Sequence, residues 1–171
     1  MAPAAAVLPA ALPSLRAAPT PVSTQKWTLN GDALFKFGRA DMASVLPEGR
    51  QALEALLAQL RRDYERVDHV QVIGHTDHIG SSAYNDNLSW RRAETIRERV
   101  LAQNLGAPVS AYGMGARQPI KACPDAGGKE SDAQRKQLIA CLQPNRRVEI
   151  AVVGVRQAAL PNSPAAVEPA K

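Results

Sequence analysis

Residues 74–93 read GHTDHIGSSAYNDNLSWRRA, and this stretch decides how the rest of the chain is interpreted. It begins directly after VQVI (residues 70–73), an alternating run with β-branched residues that predicts a strand. A long helical pattern follows, so Asp77 should lie at the end of the strand and Arg92 on the next helix. A carboxylate and a guanidinium placed in this way can bind one small zwitterion, which carries both an ammonium and a carboxylate group. The pattern therefore indicates binding and requires no reaction.

The quoted stretch resembles the signature of the OmpA-like peptidoglycan-binding domains, in which a GHTD-x-x-G turn precedes N-x-x-L-S-x-x-R-A. Other segments resemble the family in the same order, over about residues 26–155: LFKF (34–37), LPEG (46–49), YGMG (112–115) and NRRVEI (145–150). The resemblance implies a single α+β domain with a mixed four-stranded sheet on which helices pack, as in the C-terminal domain of OmpA-type proteins. It also implies non-covalent binding of peptidoglycan through the diaminopimelate of the stem peptide, which would anchor the outer membrane to the cell wall.

The resemblance assigns a role to each of four residues. Asp77 is expected to hold the ammonium group of diaminopimelate, and Arg92 its carboxylate, since a planar guanidinium suits a carboxylate better than a lysine does. Asn85 would border the ligand pocket, although it could also simply cap the helix. Arg146 matches the ligand-facing arginine of the family.

Three neighbouring positions carry further expectations. Many relatives have Asn or Asp after the first strand where this chain has Gly38, so any side-chain contact is lost there. Arg91 is expected to face solvent. Arg147 is expected to pair with acids on the sheet.

His75, Asp77 and His78 could instead form a metal cluster, and a metal-dependent hydrolase is the alternative from another class of protein. Zinc sites need three or four converging ligands, and no Cys or Glu follows at a supporting spacing. We therefore expect no metal or other cofactor, and a structural His75 that hydrogen-bonds the turn backbone. The sequence carries no serine elbow or phosphate loop that would indicate an enzyme. Within the same fold, the alternatives are the wall-binding domains of peptidoglycan-associated lipoproteins and flagellar stator proteins.

The net charge of +5 and the isoelectric point near 9.6 raise the question of nucleic acid. Arginines such as Arg61, Arg62, Arg97 and Arg99 alternate with acids along helical segments, which is typical of a solvated helix face. We therefore expect peptidoglycan as the partner and no nucleic acid, while an oligomer stays possible. No apolar run reaches the roughly 18 residues of a membrane helix. The resemblance implies a periplasmic domain of a Gram-negative outer membrane protein, in contact with the membrane only through a barrel outside this chain.

The termini differ in composition from the middle of the chain. Residues 1–25 are rich in alanine and proline and predict an extended linker, with no basic start typical of a signal peptide. Residues 156–171 contain three more prolines and predict a disordered tail. The domain itself is expected to occupy residues 26–155.

Hydrophobic periodicity predicts the elements between these ends. Two strand pieces are expected around the turn at residues 30–32, and a helix should begin at Pro47, a favourable residue at the first helical position. A second helix is expected from about Tyr84 to Asn104, stopping at Gly106. Its expected buried residues are Leu88, Ala93, Ile96, Val100 and Leu101. A strand at 109–112, a helix at 131–141 and a strand at 147–153 complete the expected order.

The chain has two cysteines, Cys123 and Cys141, on either side of a polar loop with two glycines. On their own they are compatible with a disulfide or with two free buried thiols. The resemblance favours the disulfide, because this region is closest to the C-terminal periplasmic domain of enterobacterial members of the family, which have the same cysteine pair.

Overall fold

In the computed structural model, the described part of the chain consists of residues 21–125, 127–128 and 131–157. The elements follow in the order β1 (Val22–Asn30), α1 (Gly31–Leu34), α2 (Pro47–Asp63), β2 (Tyr64–His75), α3 (Ser82–Leu101), β3 (Val109–Gly113), α4 (Asp132–Leu142) and β4 (Arg147–Arg156). Short 3-10 turns at Met42–Ser44 and Gln143–Asn145 precede α2 and β4.

The four strands form one mixed sheet in the order β1-β4-β2-β3. Strands β2 and β3 are parallel, and α3 makes the crossover that a parallel connection requires. Strand β4 is antiparallel to both of its neighbours, β1 and β2. This architecture confirms the predicted α+β fold with a mixed four-stranded sheet.

The core lies between the sheet and the two long helices. The leucine stripe of α2 is buried as predicted, and Ala93, Ile96 and Val100 of α3 are fully covered. They pack against apolar residues of the two central strands, among them Val70, Val72, Val148, Ile150 and Val152. Two predictions for α3 were wrong: Leu88 is only partly buried, and Leu101 is 39% exposed. The helix ends at Leu101, three residues earlier than expected, and Asn104 and Gly106 adopt positive φ angles beyond it.

Two glycines allow α3 to lie unusually close to the sheet. A Cβ atom on Gly74 of β2 would stand 2.1 Å from the carbonyl oxygen of Ser89. A Cβ atom on Gly113 of β3 would stand 2.6 Å from the backbone nitrogen of Trp90. Any side chain at either position would therefore push the helix away from the strands.

The start of the domain differs from the sequence-based expectation. Strand β1 begins at Val22, four residues before the expected boundary at residue 26, and Val22 to Gln25 pair with Val155 to Val152 of β4. The strand expected at residues 33–35 was wrong, because residues 31–34 form a helical turn. The side chain of Asn30 caps this turn by accepting hydrogen bonds from the backbone nitrogens of Asp32 at 2.8 Å and Ala33 at 3.4 Å.

The end of the domain also extends further than expected, since β4 continues to Arg156, which the sequence placed in the tail. The rest of the expected linker, residues 1–20, and residues 158–171 of the expected tail lie outside the described residues. Within the described ranges, no helix combines the length and the apolar character needed to cross a membrane.

Candidate functional site

A cavity of about 470 Å³ opens beside the end of β2. Its walls come from the segment after α1, the loop after β2, the first half of α3 and the neighbourhood of α4. The structure brings together at this cavity all four residues to which the sequence gave a ligand-binding role, namely Asp77, Asn85, Arg92 and Arg146. Arg91, the neighbour of Arg92, is exposed on the outer face of α3, as expected.

Arg92 reaches the cavity from the buried face of α3, and only 5% of its surface is exposed. Its Nε donates a hydrogen bond to the carbonyl of Arg39 at 2.9 Å, and its guanidinium carbon lies 5.3 Å from the centre of the Phe35 ring. Burial lowers the pKa of Arg92, and the negative charge of Asp32 acts in the opposite direction. Among the described residues no carboxylate lies within ion-pair distance of this guanidinium. The terminal nitrogens are therefore left to interact with whatever enters the cavity.

Asp77 lies in the loop after β2, with 12% of its side chain exposed. Its Oδ1 accepts a hydrogen bond from the backbone nitrogen of Ile79 at 2.9 Å, and its Oδ2 accepts one from Nη1 of Arg146 at 2.8 Å. Arg146 is also paired with Asp32 through its Nε and Nη2. Burial lowers the pKa of Arg146, but the hydrogen bonds with Asp32 and Asp77 outweigh this and raise it above its ordinary value.

Asn85 fixes the shape of the loop that carries Asp77. Its side-chain nitrogen donates hydrogen bonds to the carbonyl of Asp77 at 3.2 Å and to the carbonyl of Ile79 at 3.1 Å. The interpretation of Asn85 as a helix cap was wrong, because Ser81 caps α3 by accepting a hydrogen bond from the backbone nitrogen of Tyr84.

The mouth of the cavity is apolar. Four large side chains of its wall have substantial exposed surface: Phe37, Ile79, Tyr84 and Ile139. Gly38 lies beside them with a φ angle of +65°, and a Cβ atom there would stand 3.4 Å from the hydroxyl of Tyr84. The tyrosine hydroxyl therefore lies next to the space that a side chain at position 38 would occupy.

Several residues of the wall were missed by the sequence-based reasoning about the site, among them Asp32, Lys36 and Thr76. The hydroxyl of Thr76 is buried and has no hydrogen-bond partner. Thr76 could have been found, since it lies directly before Asp77 in the quoted stretch. Asp32 gave a weaker signal, because its only distinguishing feature in the sequence is its place in a turn after β1.

His75 lies next to the cavity residues in sequence but belongs to the sheet interior. Only 1% of its surface is exposed, and neither ring nitrogen has a hydrogen-bond partner, so the expected hydrogen bond to the turn backbone was wrong. Its Nε2 lies 3.9 Å from Oε2 of Glu149. The pKa of His75 is lowered to about 4, chiefly by burial and then by the charge of Arg147, while Glu149 acts in the opposite direction. Arg147 pairs with Glu149 at 2.8 Å, as predicted for an arginine on the sheet.

The three residues of the possible metal cluster do not converge. His75 is turned toward Glu149, Asp77 is bound by Arg146, and His78 lies 3.7 Å from the exposed Asp125. In the described parts of the chain, no group of three or more His, Cys, Asp or Glu side chains is arranged to hold a metal ion.

The predicted disulfide between Cys123 and Cys141 is confirmed, with 5.9 Å between the two Cα atoms. Cys141 belongs to α4, whose Ile139 lies at the mouth of the cavity. The helix begins with a capping box between Ser131 and Gln134, close to its predicted start. The disulfide thus ties the segment after β3 to the helix beside the site.

Known proteins resemble this chain over most of its length. Residues 34–133 match the OmpA family. Outer membrane protein A of Shigella flexneri is 41% identical over 150 residues, which are 85% of this chain and 40% of that protein. Outer membrane protein A of Klebsiella pneumoniae is 40% identical over 139 residues, which are 80% of this chain and 38% of that protein. The chain therefore spans about two fifths of the length of these relatives.

Solved structures show the same fold. The cell wall anchor of the T6SS from Pseudomonas aeruginosa has a TM-score of 0.51 at 24% identity, covering 79% of this chain and 87% of that one. A putative MotB like protein from Desulfovibrio vulgaris has a TM-score of 0.54 at 21% identity, covering 78% and 76%. At these identities the likeness concerns the fold alone. The sequence match over residues 34–133 goes further, and the chain belongs to the OmpA family.

Proposed function

We propose that this domain binds peptidoglycan non-covalently, through the diaminopimelate of the stem peptide, and thereby holds the outer membrane to the cell wall from the periplasm. Two kinds of relative support this proposal. The relatives with high identity are outer membrane proteins by name, and a structural neighbour is described as a cell wall anchor. The observation that points to a particular ligand is the burial of Arg92, whose hydrogen-bond partner in the described residues is a neutral carbonyl.

A buried guanidinium without a carboxylate partner has lost much of its hydration and has not regained it within the protein. Arg92 is in this position, because its hydrogen bond to Arg39 is made to a neutral carbonyl. A ligand carboxylate that enters the cavity would supply the missing charge and could accept two parallel hydrogen bonds. The site therefore favours an anionic group at the Arg92 end.

The other end of the cavity favours a cation. Asp77 uses one lone pair on each oxygen for Ile79 and Arg146, and a carboxylate oxygen has room for a second donor. The free end of diaminopimelate presents an ammonium group and a carboxylate on one carbon atom. The ammonium group would bind at Asp77 and the carboxylate at Arg92. Binding of this kind needs no bond to be made or broken, so we propose a binding domain without catalysis.

Sedimentation with purified sacculi tests the proposal. The variants Asp77→Ala and Arg92→Ala should each lose binding under ordinary conditions. Each charge-assisted contact contributes about 1.5–3 kcal/mol, which corresponds to about a ten- to hundred-fold change in affinity. Arg92→Lys should recover only part of the affinity, because an ammonium cannot make the two-pronged contact.

Arg91→Ala is the matched control, since it removes a guanidinium from the same helix at an exposed position and should bind like the wild type. Circular dichroism and thermal melting establish that each variant is folded. If folded Asp77→Ala and Arg92→Ala proteins still sediment with sacculi like the wild type, these residues do not hold the ligand. If the wild type itself stays in the supernatant at moderate salt, the domain does not bind peptidoglycan.

A further inference from the structure

Asp32 makes the most extensive contact with Arg146. Its Oδ1 accepts from Nε of Arg146 at 2.8 Å, and its Oδ2 accepts from Nη2 at 2.7 Å. This two-pronged pair leaves Nη1 of Arg146 directed at Asp77, at 2.8 Å. One guanidinium thus joins two carboxylates that lie 45 residues apart in sequence and line the same cavity.

The charges of these three groups do not cancel. Asp77 and Arg146 alone would form a neutral pair, which attracts a cation only weakly. With Asp32 included, two carboxylates share one guanidinium, and the group carries a net charge of −1. Arg92 and Lys36 also line the cavity and carry positive charge, so its wall presents cationic groups as well as this negatively charged group.

We propose that Asp32 is a further specificity-determining residue of the site, which keeps the cation-binding end negative although Asp77 is paired with Arg146. This inference rests on the proposed function, because it concerns the ammonium group of the same ligand. Asp32 acts through its charge and through Arg146, which makes it a positioning residue. An ammonium beside Asp77 is attracted by the net charge of the group, whereas a ligand without that ammonium gains nothing from Asp32.

The position of Asp32 allows this role to be separated from folding. The backbone of Asp32 is held by the Asn30 cap, independently of its carboxylate, and 42% of its side chain is exposed. An ion pair with an aspartate exposed to this degree contributes little to stability. Asp32→Asn keeps the size of the side chain and one oxygen acceptor, and it changes the net charge of the group from −1 to zero.

The test uses a soluble muropeptide that ends in diaminopimelate, and the same muropeptide acetylated on the free amine of the diaminopimelate. Calorimetric or NMR titration gives the dissociation constant of each probe. For Asp32→Asn we expect about tenfold weaker binding of the free-amine probe, and the same affinity as the wild type for the acetylated probe. The preference of the protein for the free amine should therefore fall about tenfold.

Asp86→Asn is the matched control. Asp86 is 41% exposed and paired with Arg117 at 2.6 Å, so it resembles Asp32 in exposure and pairing but does not line the cavity. It should leave the affinity for both probes unchanged.

Two results would overturn the inference while the proposed function stands. In the first, Asp32→Asn binds the free-amine probe as the wild type does. In the second, it loses the same factor for both probes, which would indicate a merely structural role. If the wild type binds neither probe, the proposed function itself fails.

Discussion

The protonation of His75 should make this domain sensitive to mild acid. The ring is buried, its pKa lies at about 4 in the folded protein, and it has an ordinary value of 6.5 in an unfolded chain. Between these two values the unfolded chain binds a proton that the folded protein does not bind. Acid therefore favours unfolding, and the stability of the domain decreases as the pH falls below about 6.5.

The size of the effect follows from the difference between the two pKa values of His75. Complete titration would cost about 3 kcal/mol, and about 2 kcal/mol of this should be lost between pH 7.5 and pH 5. Glu149 also contributes acid sensitivity, because hydrogen bonds from Arg147 and Lys26 outweigh its burial and lower its pKa below the ordinary 4.5. Its contribution is lost at lower pH, so measurements that stop at pH 5 report mainly on the histidine.

Urea denaturation of the wild type and of His75→Leu at several pH values would test this reasoning. The wild type should lose about 2 kcal/mol of unfolding free energy more than the variant over the range from pH 7.5 to 5. His78→Ala, which removes a partly exposed histidine, serves as the control and should follow the wild type. Equal losses in the wild type and in His75→Leu would refute the conclusion that the folded protein keeps His75 neutral.

Two further predictions concern the disulfide and the start of β1. Replacing both cysteines by serine, or reducing the disulfide, should lower the unfolding free energy by about 3 kcal/mol, and thiol titration of the denatured, unreduced protein should find no free thiol. A chain that starts at residue 26 should unfold at a lower temperature than one that starts at residue 21, with a loss of about 2 kcal/mol, because it lacks four residue pairs between β1 and β4. Equal melting temperatures of the two chains would show that this part of β1 contributes nothing.

Local signals in the sequence were sufficient to predict most of the helices and strands. Hydrophobic periodicity and a start signal predicted three elements: the helix that begins at Pro47, and the strand and the helix on either side of the GHTD turn. Residues 33–35 were mistaken for a short strand, because their apolar character suggests one. The side chain of Asn30 decides the conformation there, and hydrophobic periodicity does not detect a cap.

The candidate site was less predictable, because its contacts depend on the strand order. Asp32 and Arg146 are 114 residues apart and meet only because β1 and β4 are neighbours in the sheet. Asp77 and Arg92 could be paired from the sequence, since they belong to one strand–helix unit and match the motif of the family. His75 could not be placed from the sequence. It belongs to the motif, but its side chain is buried and lies close to Glu149 of β4.

The glycine contact between β2 and α3 has a consequence for how firmly the two ends of the cavity are spaced. Gly74 lies three residues before Asp77, and Ser89, whose carbonyl it faces, lies three residues before Arg92. Contact between main-chain atoms thus fixes the separation of the two backbones. The side chains are held by the hydrogen bonds of Asp77 with Ile79 and Arg146 and of Arg92 with Arg39. A site with such fixed spacing is preorganised, so a ligand that fits it spends little free energy on ordering the protein.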